Sequence, residues 1–177
     1  MLQGLRDCYA RLALTVNEGK TAVGPVWGRK FLVCCLMASP QGEVKRAVAP
    51  QALDKLRDRI RQITSRSRGR SLEQMAEELR RHVPGWKAYF RLAQTPNVMR
   101  NLNGWLRHRL RAVQLKQWKR GTTVYRELRA RGVPERVARA GAAHTCRWWT
   151  TAAHGALQTA LPISNFDRLG VPRLADR

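Results

Sequence analysis

Arg66, Arg68 and Arg70 alternate with Ser65, Ser67, Gly69 and Ser71 immediately before a stretch of helical periodicity. A helix amino terminus offers unpaired backbone N–H groups and the positive end of its dipole, and arginine adds a planar fork of donors. This loop is therefore suited to a phosphate oxygen. Further along, seven arginines and lysines fall between Arg100 and Arg120 with no Asp or Glu among them. A helix that is merely solvated mixes signs at i,i+4 spacing, so an acid-free run points to a grip on a polyanion. Trp86, Tyr89 and Phe90 lie between these two regions. Their spacing suits a helix core for Trp86 and Phe90, while Tyr89, flanked by Lys87 and Arg91, is left open to stacking on a base.

Other chemistries find less support. Gly19-Lys20-Thr21 looks like the end of a phosphate-binding P-loop, but the glycine needed five residues earlier is Leu14. The aspartates, Asp7, Asp54, Asp58, Asp167 and Asp176, make no local pair of the kind that two-metal nucleotidyl transfer requires. Catalysis by this chain alone is not expected, and neither is a cofactor. His144, Cys146 and His154 have no recognised zinc spacing. The cysteines, Cys8, Cys34, Cys35 and Cys146, show no CxxC and read as reduced thiols.

The elements that must position these residues are mostly helices. Leu2 to Leu12 has the pattern of a helix. Leu12 to Val16, Phe31 to Leu36 and Val44 to Val48 are short runs rich in strand formers, punctuated by glycine and proline, and read as the edge of a small sheet. From Pro50 the apolar period changes from two to nearly four, with Leu53, Leu56, Ile60 and Ile63 on one face of a helix opened by proline. Ser71 and Gln74 have capping-box spacing before a second helix. Pro84-Gly85 is expected to interrupt that helix and leave a short aromatic one over Trp86 to Leu92. Thr95-Pro96 opens the long basic helix, in which Val98, Leu102, Trp105, Leu106, Leu110 and Val113 face a core and the basic residues project outward. Gly121 is expected to end it. A helix near Val124 to Arg131 stops at Gly132, another begins at Pro134, and the tail from His144 is harder to read.

The whole chain shares the imbalance. Thirty-four Lys and Arg against 12 Asp and Glu give a net charge of +22 in 177 residues. Self-repulsion of that size favours a negative partner, and nucleic acid is the commonest, because each phosphate contact releases condensed counterions. A membrane is a poorer match, since the longest apolar run, Phe31 to Ala38, is far too short to span one. The amino end lacks a secretory signal pattern, so a cytoplasmic setting is expected.

Three ordered segments carry a family resemblance: LTVNEGKTAV, then RKFLVCCLM, then the stretch from APQALDKLRDRIRQITSRSRGRSLEQMAEELRRHVPGWKAYF through NLNGWLRHRLR to KQWKR. Together they resemble the carboxy-terminal part of bacterial group II intron reverse transcriptase/maturases. Leu53 to Arg120 looks like the maturase-specific, or X, domain that also serves as the polymerase thumb. Leu12 to Met37 looks like the end of the palm, and LPISNFDRLGVPRL resembles the terminus of members without an HNH endonuclease. Two departures stand out. No Tyr-Ala-Asp-Asp motif precedes Leu12, so the chain reads as a fragment, and Val33 stands where the family usually has glycine after Phe-Leu.

The resemblance implies a mainly α fold with a small β-sheet remnant of the palm over residues 1–49, a helical maturase domain over 50–120, and a basic helical extension over 121–177. It implies binding of group II intron RNA and support of its splicing, with Mg²⁺ used only by the intact parent polymerase. A DNA target or primer–template duplex is a further implied partner. A separate thumb subunit and a non-selective RNA-binding remnant are the alternatives. The expected RNA contacts are Arg66, Arg68, Arg70, Arg80, Arg81, Lys87, Tyr89, Arg91, Arg100, Arg107, Arg111, Lys116, Lys119 and Arg120.

Overall fold

The computed structural model describes the chain apart from residues 1, 18, 20, 22–29, 32, 39–41, 68, 144–146 and 176–177. Among the described residues it is mainly helical, with a three-stranded antiparallel sheet near the amino end. Helix α1 spans Leu2–Arg11, and its residues from Gln3 onward are exposed. The strand expected at Leu12 to Val16 does not form. Ala13 takes a positive φ of 54°, and the amides of Leu12 and Leu14 bond back to the Tyr9 carbonyl at 3.0 and 2.9 Å. Those donors terminate α1 instead of reaching a neighbouring strand.

The sheet runs β1 (Lys30–Phe31), β2 (Cys34–Ala38) and β3 (Val44–Val48), with Cys34 opposite Val48 and Leu36 opposite Arg46. Its outer edge is closed by Gln94. The Gln94 side-chain oxygen accepts from the Arg46 amide at 3.1 Å, and the Gln94 amide donates to the Arg46 carbonyl at 2.7 Å. Between β1 and β2, Val33 has φ 67° and its carbonyl accepts from Ala49. That left-handed conformation costs an L-residue about 1–2 kcal/mol and suits glycine, which gives a physical reason why a glycine would be usual here.

Helix α2 (Pro50–Ile63) opens on proline as expected and buries Ala52, Leu56, Ile60 and Ile63. Helix α3 (Leu72–Tyr89) starts with a complete capping box, in which the Gln74 amide donates to Ser71 Oγ and the Ser71 amide donates to Gln74 Oε1. It does not stop at Pro84. Leu72, Met75, Ala76, Leu79 and Val83 are buried, and Trp86 and Phe90 continue the same three- and four-residue spacing into contact with the core. Packing on both sides of Pro84 overrides its intrinsic cost of about 3 kcal/mol. Trp86 and Phe90 pack with ring centroids 4.6 Å apart beside Val48 and Ala52, whereas Tyr89 is 62 % exposed.

Helix α4 (Pro96–Trp118) is the central element, burying Leu102, Leu106, Leu110, Ala112, Val113, Leu115 and Trp118. It contacts α3, α5 and α7, so its buried face is wider than one amphipathic stripe. The helix is ended by Lys119, at φ 61°, and Gly121 opens the next helix instead of closing this one. Helices α5 (Gly121–Ala130) and α6 (Glu135–Ala143) are separated by a turn with Gly132 at φ 79°. The tail folds into α7 (Trp148–Ala152), α8 (Gly155–Ala160) and α9 (Ile163–Arg168). Gly141 lets α6 approach α8, because a Cβ there would sit 2.9 Å from the Ala156 methyl. A single buried cluster runs from Leu56 on α2 through Phe166 and Leu174 in the tail. No described helix is long and apolar enough to cross a membrane.

Candidate nucleic-acid interface

The loop that joins α2 to α3 lies against the middle of α4, and that packing gathers cations from three elements. Arg61 from the end of α2, Arg66 from the loop, and Arg109 and Lys116 from α4 line one cleft of about 380 Å³, with Trp148 at the start of α7 as its apolar wall. Among the described residues no acidic side chain lines it. Arg66 and Lys116 are exposed and, among the described residues, have no ion-pair partner. Arg61 is paired with Asp58 at 2.6 Å, an exposed i,i+3 contact worth little against a phosphate.

Arg109 is held in place. Its Nε donates to Thr64 Oγ1 at 2.8 Å, and the buried Thr64 hydroxyl donates in turn to the Ile60 carbonyl at 2.6 Å. The Trp105 ring carries two guanidinium groups, that of Arg61 at 5.6 Å and that of Arg109 at 5.3 Å from its centroid. Burial, followed by the charges of Arg61 and Arg66, pushes the Arg109 guanidinium below its ordinary pKa. The larger part of that shift is the cost of burying the charge, and like-charge repulsion at a fixed donor adds to it. An anion entering the cleft relieves that repulsion and meets a side chain already ordered, so little conformational entropy is lost on contact.

The remaining expected contacts divide into groups. Arg70 is ion-paired with Glu78, which also takes Arg59 at 3.2 Å. Arg80 and Arg81 share Glu77 at 3.1 and 3.3 Å. These lie along a larger cleft of about 1160 Å³ that includes Glu73, Glu77 and Glu78. Arg80 also donates to the Leu169 and Gly170 carbonyls, an approach that a Cβ on Gly170 would block. Lys87, Arg91 and Arg100 surround a third cleft, at the start of α4. Lys119 and Arg120 are exposed at the α4–α5 junction. Arg68 lies outside the described residues, as do His144 and Cys146.

The expected outward projection of the α4 cations fails for Arg107 and Arg111. Arg107 is 2 % exposed and donates to Asp167 at 3.1 Å; the same carboxylate accepts from Arg173. Its Nε and Nη1 are buried with no hydrogen-bond partner among the described residues. Arg111 donates to the Leu161 carbonyl at 3.1 Å, and both guanidinium groups lie over the Phe166 ring, at 5.7 and 5.9 Å from its centroid. These two arginines dock the tail. The hydrogen bond from Arg173, with the Arg107 charge behind it, holds the Asp167 carboxyl below the usual carboxylate range.

Sequence reasoning passed over Arg61, Arg109 and Trp148 in this cleft. A signal for Arg109 was present, because Trp105, Arg109 and Lys116 fall at i, i+4 and i+11, which is one face of a helix. Trp148 had no such signal, as its place depends on how the tail folds back. No curated protein matches the chain significantly. The span that supplies all four cations of the acid-free cleft is matched by a family model: residues 53–132 are similar to the group II intron maturase-specific domain.

Proposed function

We propose that this chain binds group II intron RNA through the acid-free cleft of Arg61, Arg66, Arg109 and Lys116, and supports splicing by stabilising the folded ribozyme. The observation that carries this reading is the coincidence of two independent facts: the maturase-specific match over residues 53–132, and a cleft whose four cations all come from that span, with no acid among its described lining residues. In this reading the sheet and α1 correspond to the end of a polymerase palm. Reverse transcription then belongs to a longer parent that supplies the metal-binding aspartates.

The test is a titration of the full chain with a structured group II intron RNA at several salt concentrations, paired with a splicing assay at limiting Mg²⁺. Four phosphates engaged at ~0.7–0.9 each predict a log–log slope of about −3 to −3.5. Added protein should also raise the splicing rate. A slope shallower than about −1, or tight binding with no gain in splicing, overturns the proposal.

A further inference from the structure

We infer that the cleft at the start of α4 captures an unpaired nucleotide, its base lying on an apolar floor and its phosphates on a cationic rim. This extends the intron-RNA reading and rests on it. The cleft has a volume of about 330 Å³, within the roughly 300–1,000 Å³ of small-ligand sites. Its floor is Phe90, Met99 and Leu174, contributed by the end of α3, by α4 and by the tail. Its rim is Lys87, Arg91 and Arg100, and among the described residues no acidic side chain lines it.

Each part constrains the occupant. The rim calls for an anion, and Arg91 is exposed with no carboxylate paired to it among the described residues. Arg100 is steadied from below, its Nη2 donating to Asn97 Oδ1 at 2.7 Å, which leaves its other donors available. The floor is where a pure phosphate ligand has nothing to gain. Phe90 is fixed by Trp86 at 4.6 Å and by Tyr89 at 4.8 Å, ring centroid to ring centroid, so the floor is rigid before anything binds. A flat apolar body joined to phosphates matches both halves, and in a structured RNA that is a nucleotide outside a helix. The Arg61–Lys116 cleft differs, because Ser65 and Ser67 join the cations in its lining. Apart from the Trp148 wall its lining is polar, which suits backbone phosphate.

The test uses the full chain and a short single strand in three forms: ribonucleotide, deoxyribonucleotide, and abasic with the same number of phosphates. Base capture predicts that the base-bearing strands bind at least fivefold tighter than the abasic one at equal salt, and a tighter ribonucleotide strand assigns the site to RNA. Met99→Trp, which adds bulk to the cleft, and Arg91→Glu, on its exposed rim, should each erase that preference, and Met99→Trp should do so while intron RNA still binds with its steep salt dependence. Equal binding of intact and abasic strands overturns the inference. So does a preference that survives both variants, or an acidic amphipathic peptide that competes for the cleft while the strands do not. If intron RNA itself fails to bind, the maturase reading falls; if it binds and only the base preference is missing, this inference alone falls.

Discussion

Two of the arginine-lined clefts among the described residues differ in what stands beside the guanidinium groups. The larger, about 1160 Å³, sets Glu73, Glu77 and Glu78 among Arg59, Arg70, Arg80 and Arg81. The smaller, about 380 Å³, gathers Arg61, Arg66, Arg109 and Lys116 with no carboxylate. In the first, a phosphate must compete with carboxylates already seated on the donors and is repelled by them at short range. In the second, the incoming anion removes a repulsion. Arginine density alone is therefore a poor guide to anion affinity; what differs between the clefts is how much positive charge their own linings leave uncompensated, Arg61 keeping only an exposed pair with Asp58.

The strongest challenge to this contrast comes from the most deeply buried arginine on α4. Arg107→Ala should destabilise the fold by about 3 kcal/mol, because its ion pair with Asp167 is largely desolvated on the arginine side. Denaturant unfolding should report that loss, while intron RNA affinity measured well below the melting temperature stays within about threefold. The opposite pattern, normal stability with lost binding, would place Arg107 at the RNA. Reversing the exposed pair comes next in size. Arg66→Glu with Lys116→Glu removes two charge-assisted contacts of about 1.5 kcal/mol each and should weaken intron RNA binding about a hundredfold, with melting unchanged. Arg81→Ala in the larger cleft serves as the comparison and should cost less than about threefold.

The contrast can also be sharpened by conversion. Glu77→Gln with Glu78→Gln leaves the arginines of the larger cleft without carboxylate partners there and should raise RNA affinity about fivefold. If filter binding finds no gain, pairing is not what separates the two clefts. A smaller effect concerns His108, which sits on α4 between the tail-docking Arg107 and the cleft-lining Arg109. Burial, then the charge of Arg111, holds its imidazole below the ordinary 6.5, and its Nε2 is buried without a partner beside Trp149. The unfolded chain accepts a proton that the folded chain resists. Its contribution is thus intact above about pH 6.5 and shrinks as pH falls through the window below it. Melting scans at pH 7.5 and 5.5 should show the decline, and His108→Phe should flatten that part of the profile.

What was legible in the sequence was local. Pro50, Pro96 and the Ser71–Gln74 box announced helix starts because each acts on donors within one turn. The Val44–Val48 strand fell where its alternation placed it. Failures came where a distant partner decided the outcome. Pro84 reads as a break until the buried faces on both sides of it are known. The fates of Arg107 and Arg111 depend on Asp167 and Leu161, 60 and 50 residues away, and no helical spacing encodes those distances. The four-cation cleft was half legible. Arg66 and Lys116 stood out by charge, and Arg109 shares a helix face with Lys116, whereas Arg61 joins them only when the end of α2 meets α4.

The docking of the tail bears on where a working piece of this protein can be cut. The family match ends at residue 132, yet Phe166, Val171 and Leu174 belong to the same buried cluster as α2 to α4. A truncation at 132 would strip Arg107 of its counter-ion and uncover the flank of α4 that the tail shields. The similarity boundary is thus narrower than the buried core, and a fragment designed on it would carry the cations of the smaller cleft on a scaffold that has lost part of that core.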